Sequence, residues 1–481
     1  MTAPGTGRRP RGGLVLALLG LAQLITSIDY NIVYVALPRI GADLGFSAQN
    51  LQWVVSAYAV AFGGFLLLGG RAADLLGRRR VFVAGLVLYA VASLAGGLAG
   101  AAGLLVAARA AQGLGGALLF PATLALVVTS FDEGRDRNRA FSVWAAAGAG
   151  GMVLGSLLGG VLTEAFGWSA VFYVNVPLAA LAIAGARLLL PADGPRAPGR
   201  FDVLGAVTAT GGVTLVVFSL VQGPVLGWTS PALLAAAAGG VALLAVFIAV
   251  EARTAAPLMP LRLFRNRNLS TGVSLTLLFM ATFGTLLYFL TVHFQRVLGY
   301  SALQTGLAYV VPMAAGAAGS LAGGRLAYRF GNRPTLVVSL TVGAAATVAL
   351  GLGIGAGGSY LALLPSMVVL NVAQGVVFTT MFAAATTGTA LFDQGIASGI
   401  VSTGQQVGSA VGLAVLVAVA NAGTGGLTGP RLRAATSSGL RDAVLVAAAG
   451  MVLTVLVATN FRRSPATVAP EPDIAAESAT R

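Results

Sequence analysis

Charges punctuate this chain at intervals. Between Leu14 and Ala36 the sole charge is Asp29, and Leu44–Gly70, Val81–Ala108, Ala110–Phe131, Ala140–Thr163 and Ala165–Ala186 carry none. Val203–Val250 is long enough for two crossings folded at the turn-rich Gly223–Pro231, and Pro334–Phe392 is a second such pair, split at Gly353–Gly358. Asn268–Gln295, Val297–Gly324, Gln394–Pro430 and Ala443–Phe461 complete the series. An apolar helix crosses a bilayer in ~20 residues. A charge at the bilayer centre costs at least ~2.5–3.5 kcal/mol. The pattern therefore predicts an all-α membrane protein of fourteen transmembrane helices, with Asp29 in span 1 and Arg109 in span 4 as the two charges at membrane depth.

Composition agrees. Of 481 residues, 57% are hydrophobic and 9% charged, against about 25% charged in a soluble domain. With no cysteine and a single histidine, His293, disulfides, thiolate chemistry and multi-histidine metal sites are excluded. No nucleophile–base pair, phosphate loop or metal cluster is found, so neither an enzyme nor a bound cofactor or metal is expected.

The net charge of +14 comes entirely from arginine, and its placement gives it meaning. With the N-terminus inside, 23 of the 29 arginines fall on the inner side. Five (Arg39, Arg296, Arg431, Arg433 and Arg441) fall outside. The positive-inside rule then puts both termini in the cytoplasm of a plasma (inner) membrane protein. The lipid bilayer is thus a partner; nucleic acid is not, because no contiguous basic domain exists. The arginine-rich start followed by an apolar run is too long for a signal peptide and carries Asp29, so it reads as an uncleaved first span.

An internal repeat organises the spans. Gly70, Arg71, Ala73, Gly77 and Arg79 recur 254 positions later as Gly324, Arg325, Ala327, Gly331 and Arg333. Gly151, Gly155 and Gly159 in span 5 are echoed by Gly404, Gly408 and Gly412 in span 13. Spans 1–6 then correspond to spans 9–14, with spans 7 and 8 inserted. The expected organisation is a cytoplasmic tail (1–12), a six-helix bundle (13–190), an inserted helix pair with its flanking loops (191–268), a second six-helix bundle (269–461) and a disordered cytoplasmic tail (462–481). Parallel halves with a site between them characterise secondary transporters.

Specific motifs resemble the major facilitator superfamily, in particular its fourteen-span drug:proton antiporter branch. Gly70–Arg80 resembles the family's loop 2–3 signature, with Ala72 and Leu75 as departures. Leu105–Ala117, including Arg109, Gln112 and Gly113, is similar to the span-4 signature. Ile28–Pro38 resembles the span-1 signature of that branch, and Gly395–Gly408 its span-13 pattern. Phe201-Asp202 and Pro260–Arg267 also fit. Two positions depart from the antiporter pattern: Ser156 stands where proline usually follows Gly155, and Trp168-Ser-Ala replaces a Trp-Arg-Trp-type start to span 6. The resemblance implies a monomeric protein that extrudes small amphipathic drugs or antibiotics by rocker-switch alternating access, with the proton as coupling ion. The departures leave open a transporter of the same fold with a specific metabolite as cargo and either direction.

Within that frame, Asp29 and Arg109 are candidates for proton coupling: burial favours the neutral carboxyl and a nearby arginine the ionised one. Gly70, Asp74, Gly77, Arg78 and Arg79 form a candidate gating latch, in which Asp74 caps a helix or pairs with Arg78 or Arg79 in one conformation. Gly151, Gly155, Gly159 and Gly160 offer close helix packing and a candidate hinge between the halves. Tyr30, Tyr34, Gln52, Tyr58, Gln112, Asn371, Gln374 and Gln405 are candidates for a polar, aromatic substrate cavity, with Asn175 and Gln406 as further bridging groups. His293 and Glu164 are expected at the outer interface. The positions 254 residues beyond Asp29 and Arg109 are Phe283 and Leu363, so divalent cationic drugs are expected to be poor substrates.

Overall fold

The computed structural model describes residues 12–194, 201–254, 257–355, 359–390 and 393–462. Nearly all of both expected tails, and Arg8, Arg9, Arg11, Arg196, Arg200, Arg463 and Arg481, lie outside them. Among the described residues fourteen helices are long and apolar enough to cross a membrane. In the first half, spans 1–6 are Gly12–Asp43, Asn50–Leu76, Arg78–Gly97, Ala102–Ser130, Arg135–Phe166 and Ala170–Leu189. Spans 7 and 8 are Val203–Leu226 and Pro231–Arg253. In the second half, spans 9–14 are Arg267–Val297, Ala302–Phe330, Asn332–Gly353, Tyr360–Thr386, Gln394–Asn421 and Gly429–Ala458.

The two copies of the repeated loop end their helices alike. Gly77 and Gly331, 254 apart, both adopt positive φ, at 106° and 85°, a conformation open to glycine and strained for residues with a Cβ. The glycine echo is equally structural. A Cβ on Gly155 would lie 2.6 Å from the Ile28 carbonyl oxygen and one on Gly159 2.7 Å from that of Ile32, so span 5 lies on the bare backbone of span 1. Gly408 and Gly412 meet the backbone of Leu277 and Ala281 in the same way, laying span 13 on span 9.

The halves cross-pack through equivalent elements, span 5 on span 10 and span 13 on span 2. Gly160 faces the Ala302 carbonyl and Gly306 that of Ser156; the Thr403 hydroxyl donates to the Gly63 carbonyl at 3.1 Å. Span 7 packs against both span 2 and span 13, and span 8 packs on span 7. Span 8 is largely exposed, with Leu234, Val241, Val246 and Ile248 pointing outward, as befits a lipid-facing helix.

The two ends of the bundle differ. Ile28–Ile40 of span 1, Leu51–Val55 and Trp168–Phe172, the first half's contribution away from the arginine-rich end, join spans 9–14 in one apolar core that runs the length of the second half. At the arginine-rich end the first half has its own core, between Val15 and Leu190, which takes no residue of the second half.

Candidate functional site

Asp29 is fully buried, at 0% exposure, and Arg109 is 2% exposed. Arg109 Nη1 donates to Asp29 Oδ2 at 2.7 Å and to Gln112 Oε1 at 2.9 Å; its Nε donates to the Val54 carbonyl at 2.9 Å. The other carboxylate oxygen, Oδ1, accepts from Asn175 Nδ2 at 2.7 Å and from Gln112 Nε2 at 3.2 Å. Gln112 Nε2 also reaches Ser93 Oγ at 2.7 Å. Spans 1, 2, 3, 4 and 6 thus each contribute to one polar knot. A buried ion pair needs its remaining lone pairs and protons satisfied, and the amides of Gln112 and Asn175 do that here.

The sequence explains the convergence. Arg109 and Gln112 are three apart on span 4 and share a face. Gly113 and Gly116 bring span 2 onto span 4, so closely that a side chain at Gly113 would overlap the Tyr58 carbonyl. That approach lays the Tyr58 ring 4.6 Å from the Arg109 guanidinium carbon, a cation–π contact; the Phe172 ring lies at 6.0 Å. From Tyr58 an aromatic run extends toward the arginine-rich end: Phe62 at 5.8 Å, then Phe120 at 6.1 Å and Trp144 at 5.5 Å between ring centroids.

Of the residues singled out from sequence, Asp29, Arg109, Gln112, Tyr58 and Asn175 meet in this knot. Tyr30 and Tyr34 lie one and five positions beyond Asp29, packed edge-on at 6.0 Å. The other cavity candidates are elsewhere. Gln52 is buried at the opposite end and donates to the Gln49 carbonyl at 2.8 Å. Asn371 donates to Met367 of its own helix at 2.9 Å. Gln374 and Gln405 are half-buried and make no side-chain hydrogen bond among the described residues. Gln406 presses against Gly63.

One expectation changes with the geometry, and two candidate elements can be placed. His293 is fully buried, not interfacial, and neither ring nitrogen has a hydrogen-bond partner among the described residues. Span 9 ends there in a π-helical turn, His293–Val297, which carries the ring inward; Glu164 is exposed, as expected. Gly151, Gly155 and Gly159 pack on span 1 within their own half; of the four candidate hinge glycines, Gly160 alone faces the other half. Near the end of span 2, Gly70 faces Pro121, while Asp74 is exposed and engages no partner among the described residues. The N-terminus of span 3 is capped by Asp193 instead, which accepts from the backbone N–H of Arg79 at 3.1 Å and of Arg80 at 2.9 Å. Arg79 itself donates to the Arg187 carbonyl at 3.0 Å, and Arg78 is half-buried.

Sequence reasoning missed Ser93, the Val54 carbonyl, Asp193 and Met313. Met313 of span 10 sits where the halves meet, its sulfur accepting from Ser156 Oγ at 3.1 Å and Asn31 Nδ2 at 3.6 Å. Asn31 also donates to the Met152 carbonyl at 2.9 Å. At the arginine-rich end Arg262 grips Asp393 through both oxygens at 2.8 Å. Hydrogen bonding to Asp393, and attraction by its charge, push the guanidinium pKa further above its usual value.

Among the described residues, fourteen helices long and apolar enough to cross a membrane, with a buried ion pair inside the first six, are the architecture of a multi-pass membrane protein. The chain matches the Major Facilitator Superfamily over residues 19–413. It is 38% identical over 448 residues to the cephamycin export protein CmcT of Amycolatopsis lactamdurans, covering 88% of this chain and 87% of that protein. It is 39% identical over 429 residues to the puromycin resistance protein pur8 of Streptomyces alboniger, covering 87% and 84%. The crystal structure of a bacterial homolog to the human lysosomal transporter Spinster, inward-facing and unoccupied, matches with a TM-score of 0.68 at 18% identity, over 95% of this chain and 100% of that one. The chain belongs to the Major Facilitator Superfamily and is a transporter, not an enzyme.

Proposed function

We propose that this transporter exports small amphipathic antibiotics across the plasma membrane, both termini in the cytoplasm, in exchange for inward-moving protons. Its relatives' names supply the cargo class: cephamycin export and puromycin resistance. The observation that carries the coupling is Asp29, fully buried and held 2.7 Å from Arg109.

Three side chains donate to the Asp29 carboxylate. A proton arriving on Asp29 cancels the charge that Arg109 is paired with and weakens a charge-assisted bond worth ~1.5–3 kcal/mol. Arg109 stays in place through the Val54 carbonyl, Gln112 and the Tyr58 ring. The site therefore has two states, a protonated Asp29 beside a free cation and an ionised Asp29 paired with it. Cationic or dipolar cargo near Asp29 favours the second, so cargo binding expels the proton. Cargo entering from the cytoplasmic, arginine-rich end passes the aromatic run from Trp144 to Tyr58. The glycine seams make spans 1 and 5, and spans 9 and 13, two rigid pairs. Rocking those pairs about the contacts of span 5 with span 10 and span 2 with span 13 opens the apolar seal at the outer end.

The test is a susceptibility panel in a host deleted for its own pumps, including puromycin, a cephamycin and matched mono- and bis-cationic dyes. Raised resistance to the monovalent or neutral compounds, abolished by an uncoupler, is the expected outcome. Unchanged or increased susceptibility throughout favours uptake or export of a specific metabolite instead.

A further inference from the structure

The inserted helix pair contains a second arrangement of buried acids, remote in sequence from the Asp29 knot. Asp202 begins span 7 and Glu251 lies in the last turn of span 8; they are 7% and 3% exposed. Each has one oxygen committed to a backbone amide. Asp202 Oδ1 accepts from Gly205 N at 2.8 Å, capping span 7. Glu251 Oε2 accepts from Met259 N at 2.9 Å in the linker that leads to span 9. The remaining oxygens, Asp202 Oδ2 and Glu251 Oε1, are buried and have no hydrogen-bond partner among the described residues. Both converge on Gly205, where a Cβ would lie 2.5 Å from the first and 2.9 Å from the second. The two orphaned oxygens thus face the same space beside Gly205.

Among the described residues no cation forms an ion pair with either acid. The groups that act on Glu251 are Asp202 and the amides of Met259 and Leu258. Arg253 on the same helix is exposed, and Arg262 in the linker engages Asp393. On span 2, which packs against span 7, neither Arg71 nor the exposed Asp74 makes an ion pair among the described residues. An ionised carboxylate only accepts hydrogen bonds, so two of them leave two orphaned acceptors and two like charges facing each other. One proton removes both faults, turning one acid into a donor.

We infer that Asp202 and Glu251 share a single proton and form a second protonation site, at the arginine-rich face of spans 7 and 8. The proton resides on Glu251, because Asp202 caps a helix N-terminus, where negative charge is favoured. With it in place, Glu251 Oε1–H donates to Asp202 Oδ2 while Oε2 holds the linker at Met259. Without it the two acids repel and the grip on the linker slackens. Because that linker continues to Arg262 and so to Asp393 before span 13, the site ties the inserted pair to the second half.

The test is infrared spectroscopy of the full chain in lipid vesicles at neutral pH, with carboxyl-13C glutamate incorporated to assign the C=O stretch of a protonated glutamic acid. The band is expected in wild type and in Asp29→Asn, and absent from both Glu251→Gln and Asp202→Asn. In those variants the amide supplies the donor and the remaining acid ionises. Absence of a protonated-glutamate band in wild type overturns the inference, as does its persistence in Glu251→Gln. Absence of the band from wild type does so even where a variant does not fold, and assignment of the band to Glu251 rests on its loss in Glu251→Gln.

Discussion

The two halves share a scaffold and divide the chemistry. In the first, span 1 carries Asp29, which is buried against Arg109, Gln112 and Asn175. In the second, the matching positions are Phe283 and Leu363, both in the apolar core. Span 9 also loosens at Phe283 into a 3₁₀ turn, Phe283–Thr285, where span 1 runs on as α-helix. The glycine seams are the same in both halves; the ionisable centre is present in one. Duplicated folds can keep the elements that move and retain chemistry in a single copy, because packing needs shape in both halves whereas one titrating group can serve the pair.

That asymmetry is sharpest under the same substitution at matching sites. Arg109→Met leaves Asp29 buried without its counter-charge, and removing one partner of a buried pair costs ~3–5 kcal/mol. Export is expected to be lost and the melting temperature of the purified protein to fall. Leu363→Met is volume-conserving and is expected to cost under ~1.5 kcal/mol, with export retained. Equal losses at the two positions would erase the contrast.

The scaffold, by comparison, predicts symmetry. Gly155→Ala and Gly408→Ala each drive a methyl into a backbone carbonyl of the facing span, and overpacking of this kind costs ~1–3 kcal/mol. Comparable destabilisation in both halves is expected from denaturation in detergent. Tolerance in one half alone would mean that its seam is not the close contact described.

The smallest effect concerns Ser156. Proline there removes an N–H and ordinarily costs ~3 kcal/mol or more in a helix interior. The carbonyl it would orphan, that of Met152, already accepts from Asn31 at 2.9 Å. Ser156→Pro is therefore expected to cost less than that figure, and Asn31→Ala to cost more in the proline background than alone. A double-mutant cycle on melting measures the difference; strict additivity would sever Asn31 from this carbonyl.

The span count was legible because a charge in hydrocarbon is costly enough to be excluded from all but two positions, and the repeat because Gly77 and Gly331 must both take positive φ. Asp29 and Arg109 stood out for the same reason: they were the exceptions. Gln112 followed from its spacing to Arg109. Ser93 could not be picked from the chain's many serines, and the Val54 contribution is a backbone carbonyl with no side-chain signature. The seams were legible as glycine ridges, but spacing does not say which helix a ridge meets, and Gly151, Gly155 and Gly159 meet span 1. His293 reads as interfacial at the end of an apolar run until the π-helical turn is known. Asp202 and Glu251, 49 residues apart in sequence, become neighbours when spans 7 and 8 form a hairpin.

The most direct test of the account is substrate-induced proton release in everted vesicles carrying Asp29→Asn, a substitution whose amide oxygen still accepts from Arg109 but whose side chain no longer titrates. Wild type is expected to release protons when a transported antibiotic is added. The variant is expected to bind the same compound with no release. Proton release equal to wild type in Asp29→Asn would remove Asp29 from the coupling and contradict the account.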